Sequence, residues 1–154
     1  MTWEQFAAEA PELASSVRAM LEATKHHVLA TLRRDGSPRV SGNEVQFHGP
    51  DLVMGMMVDS VKARDLRRDG RYALHANPGD EMGSGDSKVS GLAVEVTDEE
   101  SLVAYAGAIN PPPDFNLFRL LLNEAVLTTL HPMGDRLVIE RWQPGVGVTR
   151  VERV

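Results

Sequence analysis

The chain contains no cysteine, and only 5% of its residues are aromatic. The first absence excludes disulfides, thiolate metal sites and cysteine nucleophiles. No apolar run reaches the roughly 20 residues that a membrane-spanning helix needs, so no membrane association is expected. The N-terminus carries Glu4 and Glu9 instead of a basic start and an apolar core. It therefore does not read as a signal peptide, and a cytoplasmic protein is the default. Basic charge is also scarce. Sixteen Lys and Arg stand against 22 Asp and Glu, a formal net charge of −6, which argues against a general nucleic-acid binder. The histidines show no ligand spacing, so no metal site is expected.

What is present fits one globular domain. The 154 residues are 42% hydrophobic and 25% charged, enough for a sizeable core. Residues 1–25 read as N-terminal helices. Thr2-Trp3-Glu4-Gln5 has the capping-box pattern, and Pro11 fits the first turn of a second helix. There Leu13, Val17, Met20 and Leu21 recur at helical spacing. From residue 26 to the end, short alternating segments dominate. Val28, Ala30 and Leu32 alternate with Leu29, Thr31 and Arg33. Asp35-Gly36 supplies a tight turn, and Pro38 to Phe47 reads as the partner strand. Leu52 to Val58, Arg71 to Ala76, Val89 to Val96, Arg136 to Trp142 and Val146 to Val151 read as further strands. Asn77 to Asp86, rich in Gly, Asp, Ser and Pro, reads as a mobile loop. Asp98 or Thr97 caps a helix through Ala108. Residues 116–130 fit either strand or helix, and Thr128-Thr129 favours strands with a bulge near Glu124. The tally is six to eight strands, antiparallel and mainly β, with few helices, which suggests a small barrel.

One helix interrupts this meander, from Ser60 through Arg68, and it opens a basic island. Lys62, Arg64, Arg67, Arg68 and Arg71 face only Asp65 and Asp69. A helix start offers unpaired N–H groups and a positive dipole end. Ser60 adds a hydroxyl and Lys62 a full charge, a combination suited to a phosphate. The plainer reading is a serine cap on a solvated, salt-bridged helix. Arg39 and Ser41 share one face of their strand by alternation. Gly55 lets something approach the backbone closely, and Met56 and Met57 suit a flat ring, although core filling explains methionines equally well.

These segments resemble one family. Ala30-Thr31-Leu32, Asp35 to Ser41, Ser60 to Leu66 and Tyr72-Ala73-Leu74 are similar to the pyridoxamine 5'-phosphate oxidase-like proteins, as are Gly91 to Asp98 and Arg141 to Gly145. The likeness runs through most of the chain from Val28 onward and rests on the order and spacing of short motifs. It implies a homodimeric split β-barrel that binds FMN or the deazaflavin coenzyme F(420) in clefts between subunits. Ser60, Lys62 and Ala63 match the family's Ser-x-Lys-Ala phosphate motif, with Arg64 near enough to assist. Arg39, Val40 and Ser41 match the strand lining the isoalloxazine ring, and Gly55, Met56 and Met57 the strand facing it from the other side. Trp142 and Arg150 resemble C-terminal residues that reach the partner's cofactor.

The departures are informative. Val61 stands where the vitamin-forming oxidases carry Arg, and their Arg-x-Val-Leu-Leu-Lys strand is missing. Gly147-Val148-Thr149-Arg150-Val151 replaces their Arg-Leu-His motif. A true pyridoxal phosphate-forming oxidase is therefore not expected. The resemblance implies an oxidoreductase that passes a hydride to a small flat acceptor. A non-catalytic carrier of flavin, deazaflavin or haem is the alternative, and a barrel without any cofactor, serving as a dimerisation module, is a third. No acid–base residue stands out as catalytic.

Overall fold

The structure is a computed structural model that describes residues 1–78 and 85–154. Helix α1 (Trp3–Glu9) begins with the expected capping box, Thr2 and Gln5 each satisfying the other's backbone N–H. Helix α2 (Pro11–Ala23) follows at once, burying Leu13, Ala14, Val17 and Leu21. The chain then enters the sheet with β1 (His27–Leu32), turns at Gly36, whose φ is +82°, and returns as β2 (Pro38–Asn43). Next come β3 (Gln46–His48), β4 (Asp51–Met57), α3 (Val61–Arg68) and β5 (Arg71–His75). Strand β6 (Asp86–Val96) precedes α4 (Glu99–Ile109), which Asp98 caps through the Ser101 N–H. Strands β7 (Phe115–Leu130), β8 (Leu137–Gln143) and β9 (Gly147–Arg153) complete the chain.

All pairings among the described strands are antiparallel, in the order β2-β1-β5-β6-β7-β4-β3, with β8 added to β7 and β9 to β8. Only Glu44 and Val45 separate β2 from β3 in the chain, yet these strands end opposite sides of that path. The sheet must therefore curl until its two ends nearly meet. This is the mainly β, split-barrel architecture that the sequence implied. The seam between β2 and β4 is not a ladder, so its carbonyls need other donors. Asn43 Nδ2 supplies one to the Gly55 carbonyl at 3.2 Å, and Lys62 Nζ supplies another to the Gly42 carbonyl at 2.7 Å.

Three details differ from the sequence expectation. The run Pro38 to Phe47 is two strands, because its halves join ladders on opposite sides of the seam. Nine strands are described, against the six to eight expected. Residues 115–130 form one long strand in place of several, while the expected bulge near Glu124 is present, with Asn123 the extra residue where the register with β6 shifts between Ser90 and Gly91. The mobile-loop expectation for 77–86 falls largely on residues outside those described, and Asp86 already belongs to β6.

The barrel is filled by Leu29, Leu52, Met54, Leu74, Phe118, Leu120 and Leu122, closed at one side by Phe6 and Trp142. A smaller cluster of Val53, Val96, Tyr105 and Leu117 lies beneath α4. Among the described residues, no helix is long and apolar enough to cross a membrane.

Candidate functional site

The seam opens into a cleft of about 950 Å³. One wall is the β2–β3 corner, Gly42 to Phe47. The other is the end of β4, Gly55 to Met57, with Lys62 from α3. The C-terminal end of α4 and the segment after it, including Tyr105 and Asn110 to Pro112, close the far side. Arg18 on α2, with Lys25 and His26 just beyond its C-terminus, forms the rim. Glu44 stands among them, 3.6 Å from the Lys25 ammonium and 3.3 Å from the His26 ring.

Helix α3 starts as a serine-capped helix. The Ser60 hydroxyl accepts from the Ala63 N–H at 3.3 Å, which occupies it with a structural bond. Ala63 itself is fully buried and serves the core. Lys62 is half-buried, and among the described residues its ammonium donates only to the Gly42 carbonyl. Desolvation lowers its pKa, and among the described residues no carboxylate opposes that shift. An ammonium in this setting gains from any anion that reaches it.

The rest of the basic island is committed elsewhere. Arg67 spans Glu95 and Asp59, its nitrogens 2.6 Å and 2.7 Å from their carboxylates. Arg71 pairs with Asp69 at 2.6 Å and helps hold that carboxyl down to about 2. Arg68 and Arg39 both bind Asp65, at 2.9 Å and 2.7 Å, and the Thr31 hydroxyl donates to it at 2.9 Å. Asp65 is 2% exposed. Arg39 therefore ties β2 to α3 from beneath, while Lys62 ties the same two elements at the cleft mouth. Arg64 is exposed and takes no part in the ion pairs found among the described residues.

Of the residues singled out from the sequence, Gly55, Met56, Met57 and Lys62 come together on the cleft. Met56 is buried and Met57 is 79% exposed. Arg39 is held by Asp65, and Val40 lies on the opposite sheet face, largely exposed. The Ser41 hydroxyl is buried and has no partner among the described residues. Trp142 lies in the core against Phe6, its indole N–H donating to Glu9 at 3.0 Å, and Arg150 is exposed on β9 beside Glu152. The space left by Gly55 is taken by Tyr105, whose hydroxyl would stand 2.6 Å from an added Cβ. That hydroxyl donates to Gln46 Oε1 at 3.0 Å. Burial and the nearby Glu44 charge both raise the pKa of Tyr105, which keeps it a donor. Sequence reasoning missed Asn43, Gln46 and Tyr105. Their only local signal is the polar pair flanking Glu44-Val45 inside an apparent strand.

No protein-family model matches the chain, and no curated protein matches it in sequence. Solved structures do match its fold. PhzG from Burkholderia lata, in complex with tetrahydrophenazine-1-carboxylic acid, superposes with a TM-score of 0.64 at 18% identity, over 94% of this chain and 92% of its own. A pyridoxamine 5'-phosphate oxidase-related, FMN-binding protein from Nostoc punctiforme gives 0.63 at 12% identity, over 94% of each chain. A heme-binding protein from Mycobacterium smegmatis gives 0.61 at 16% identity, over 91% of this chain and 87% of its own. The chain thus has the split-barrel fold of the pyridoxamine 5'-phosphate oxidase-like proteins, the group its sequence resembles.

Proposed function

We propose that the chain binds a phosphate-bearing flavin or deazaflavin, FMN or coenzyme F(420), in the seam cleft. On this reading it works as an oxidoreductase on a small flat acceptor. The observation that carries the reading is Lys62, a desolvated cation at the cleft wall with no carboxylate partner among the described residues. The cleft volume is within the range for cofactor-sized ligands, about 300–1,000 Å³. Lys62 and the exposed Arg64 would meet the anionic tail, and Gly55, Met56 and Met57 would border the ring. When bound in its reduced form, such a ring would supply the hydride and be left oxidised, and the chain's residues would hold and orient it.

The homodimer belongs to the same proposal. Val28, Val40, Leu92 and Val94 share one outer sheet face and are 39–68% exposed. A face of this kind favours cover by a second copy. A cytoplasmic setting is also part of the reading.

The test is a visible-absorbance titration of the purified protein with FMN and with coenzyme F(420), followed by turnover of the reduced ligand with quinones and enones. Saturable binding at micromolar levels together with turnover supports the oxidoreductase. Absence of saturation with both ligands overturns it. A second reading, a non-catalytic carrier of flavin, deazaflavin or haem, draws on His26, an imidazole at the cleft rim, and on the heme-binding neighbour. Binding without turnover would favour it.

A further inference from the structure

Four cleft residues form one wall from two hydrogen-bonded pairs, Asn43 with Gly55 and Tyr105 with Gln46. Asn43 Nδ2 donates to the Glu44 carbonyl at 2.7 Å and to the Gly55 carbonyl at 3.2 Å. Both targets are carbonyl oxygens, so the amide nitrogen must face them, and both of its hydrogens are used. The Asn43 Oδ1 is left without a donor among the described residues, on a side chain only 5% exposed. Beside Gly55 lies the Tyr105 hydroxyl, which donates to Gln46 Oε1 at 3.0 Å. That bond holds the oxygen of the second amide. Gln46 keeps both N–H groups of Nε2, and no acceptor among the described residues takes them. All four residues line the cleft.

We infer that Asn43 and Gln46 are specificity-determining residues that read the edge of a heterocycle carrying a carbonyl beside a ring N–H. The Gln46 amide donates to the ligand carbonyl, and Asn43 Oδ1 accepts from the ligand N–H. The Asn43 amide is pinned by two carbonyl acceptors and cannot turn over, while the Tyr105 hydroxyl holds Gln46 at the other end of the wall. Lys62 binds the carbonyl of Gly42, the residue next to Asn43, so the edge reader and the cationic end adjoin. A ligand with an imide-like edge and an anionic tail satisfies both. The inference rests on the cofactor-cleft reading and specifies which edge of the ring the wall selects.

The test uses three probes on the full chain: FMN, riboflavin, and riboflavin methylated on its imide nitrogen. Each hydrogen bond left unmade against a buried partner is expected to cost about tenfold or more in affinity. Wild-type protein should therefore bind riboflavin about tenfold or more tightly than the methylated compound. Gln46→Glu keeps an acceptor for Tyr105 but turns the donor into a carboxylate. It should weaken riboflavin by about tenfold or more, and FMN further, because the new carboxylate also repels the phosphate. The methylated probe needs no variant, so it still decides the matter if Gln46→Glu folds poorly. Equal binding of riboflavin and its methylated form, with the preference for FMN intact, overturns this inference alone. No binding of these probes or of coenzyme F(420) overturns the cofactor reading and the inference with it.

Discussion

Two charged side chains on α3 have opposite jobs, and substitution separates them. Lys62→Ala removes a half-buried cation whose desolvation is uncompensated by a carboxylate among the described residues. It should leave the melting temperature within a few degrees of wild type while lowering affinity for an anionic ligand about tenfold or more. Asp65→Asn does the reverse. It removes the buried counter-charge of Arg39 and Arg68 and should cost about 3–5 kcal/mol in urea unfolding at neutral pH. The same carboxylate gives stability an acid dependence. Desolvation works against its charge, but hydrogen bonds from Arg68, Arg39 and Thr31 outweigh that and hold its pKa below the ordinary value. The unfolded chain, titrating near about 3.9, then binds more protons than the folded one. The stabilisation is complete above that value and is lost as pH falls through the lower, folded pKa. Urea midpoints measured from neutral pH down to strong acid should show this loss in wild type, and a smaller one in Asp65→Asn.

Two glycines fix how the elements fit, and each has a different neighbour. At Gly91, where the β6–β7 register shifts, an added Cβ would overlap the Leu121 backbone carbonyl. A backbone neighbour in a two-sided ladder cannot step aside. Gly91→Ala should therefore destabilise by more than about 2 kcal/mol, read as a lower urea midpoint with unchanged slope. At Gly55 the neighbour is the Tyr105 hydroxyl, the end of a side chain, so Gly55→Ala should cost less and mainly break the Tyr105–Gln46 bond. Elements such as these were legible wherever their signal is local. The capping box at Thr2, Pro11 at a helix start, Asp35-Gly36 and the serine before α3 all act within a few residues. The break at Glu44-Val45 was not legible, because only non-local pairing sends β2 and β3 to opposite ends of the sheet. The site divides in the same way. Lys62 announced itself through a helix-start motif, whereas Asn43, Gln46 and Tyr105 meet only after three distant segments converge on Gly55. The basic island misled for a related reason. Glu95 and Asp59, which engage Arg67, lie outside the run of sequence that defines it.

For the molecule as a whole, the barrel is closed at one side by α1, α2 and Trp142 and left open at its seam. That opening joins Lys62 on the cleft wall to the amides of Asn43 and Gln46. The exposed apolar sheet face predicts a dimer at micromolar concentration. Val40→Asp, on that face and away from the cleft, should shift sedimentation toward the monomer while leaving the far-ultraviolet circular dichroism unchanged. The central claim is that an anionic ligand is held by Lys62 in the seam cleft. Equilibrium dialysis of FMN and riboflavin against wild type and Lys62→Ala tests it most directly, because the two ligands differ only in the phosphate. The account predicts a preference for FMN of about tenfold or more in wild type that disappears in Lys62→Ala. An equal preference in both proteins, or none in either, would contradict it.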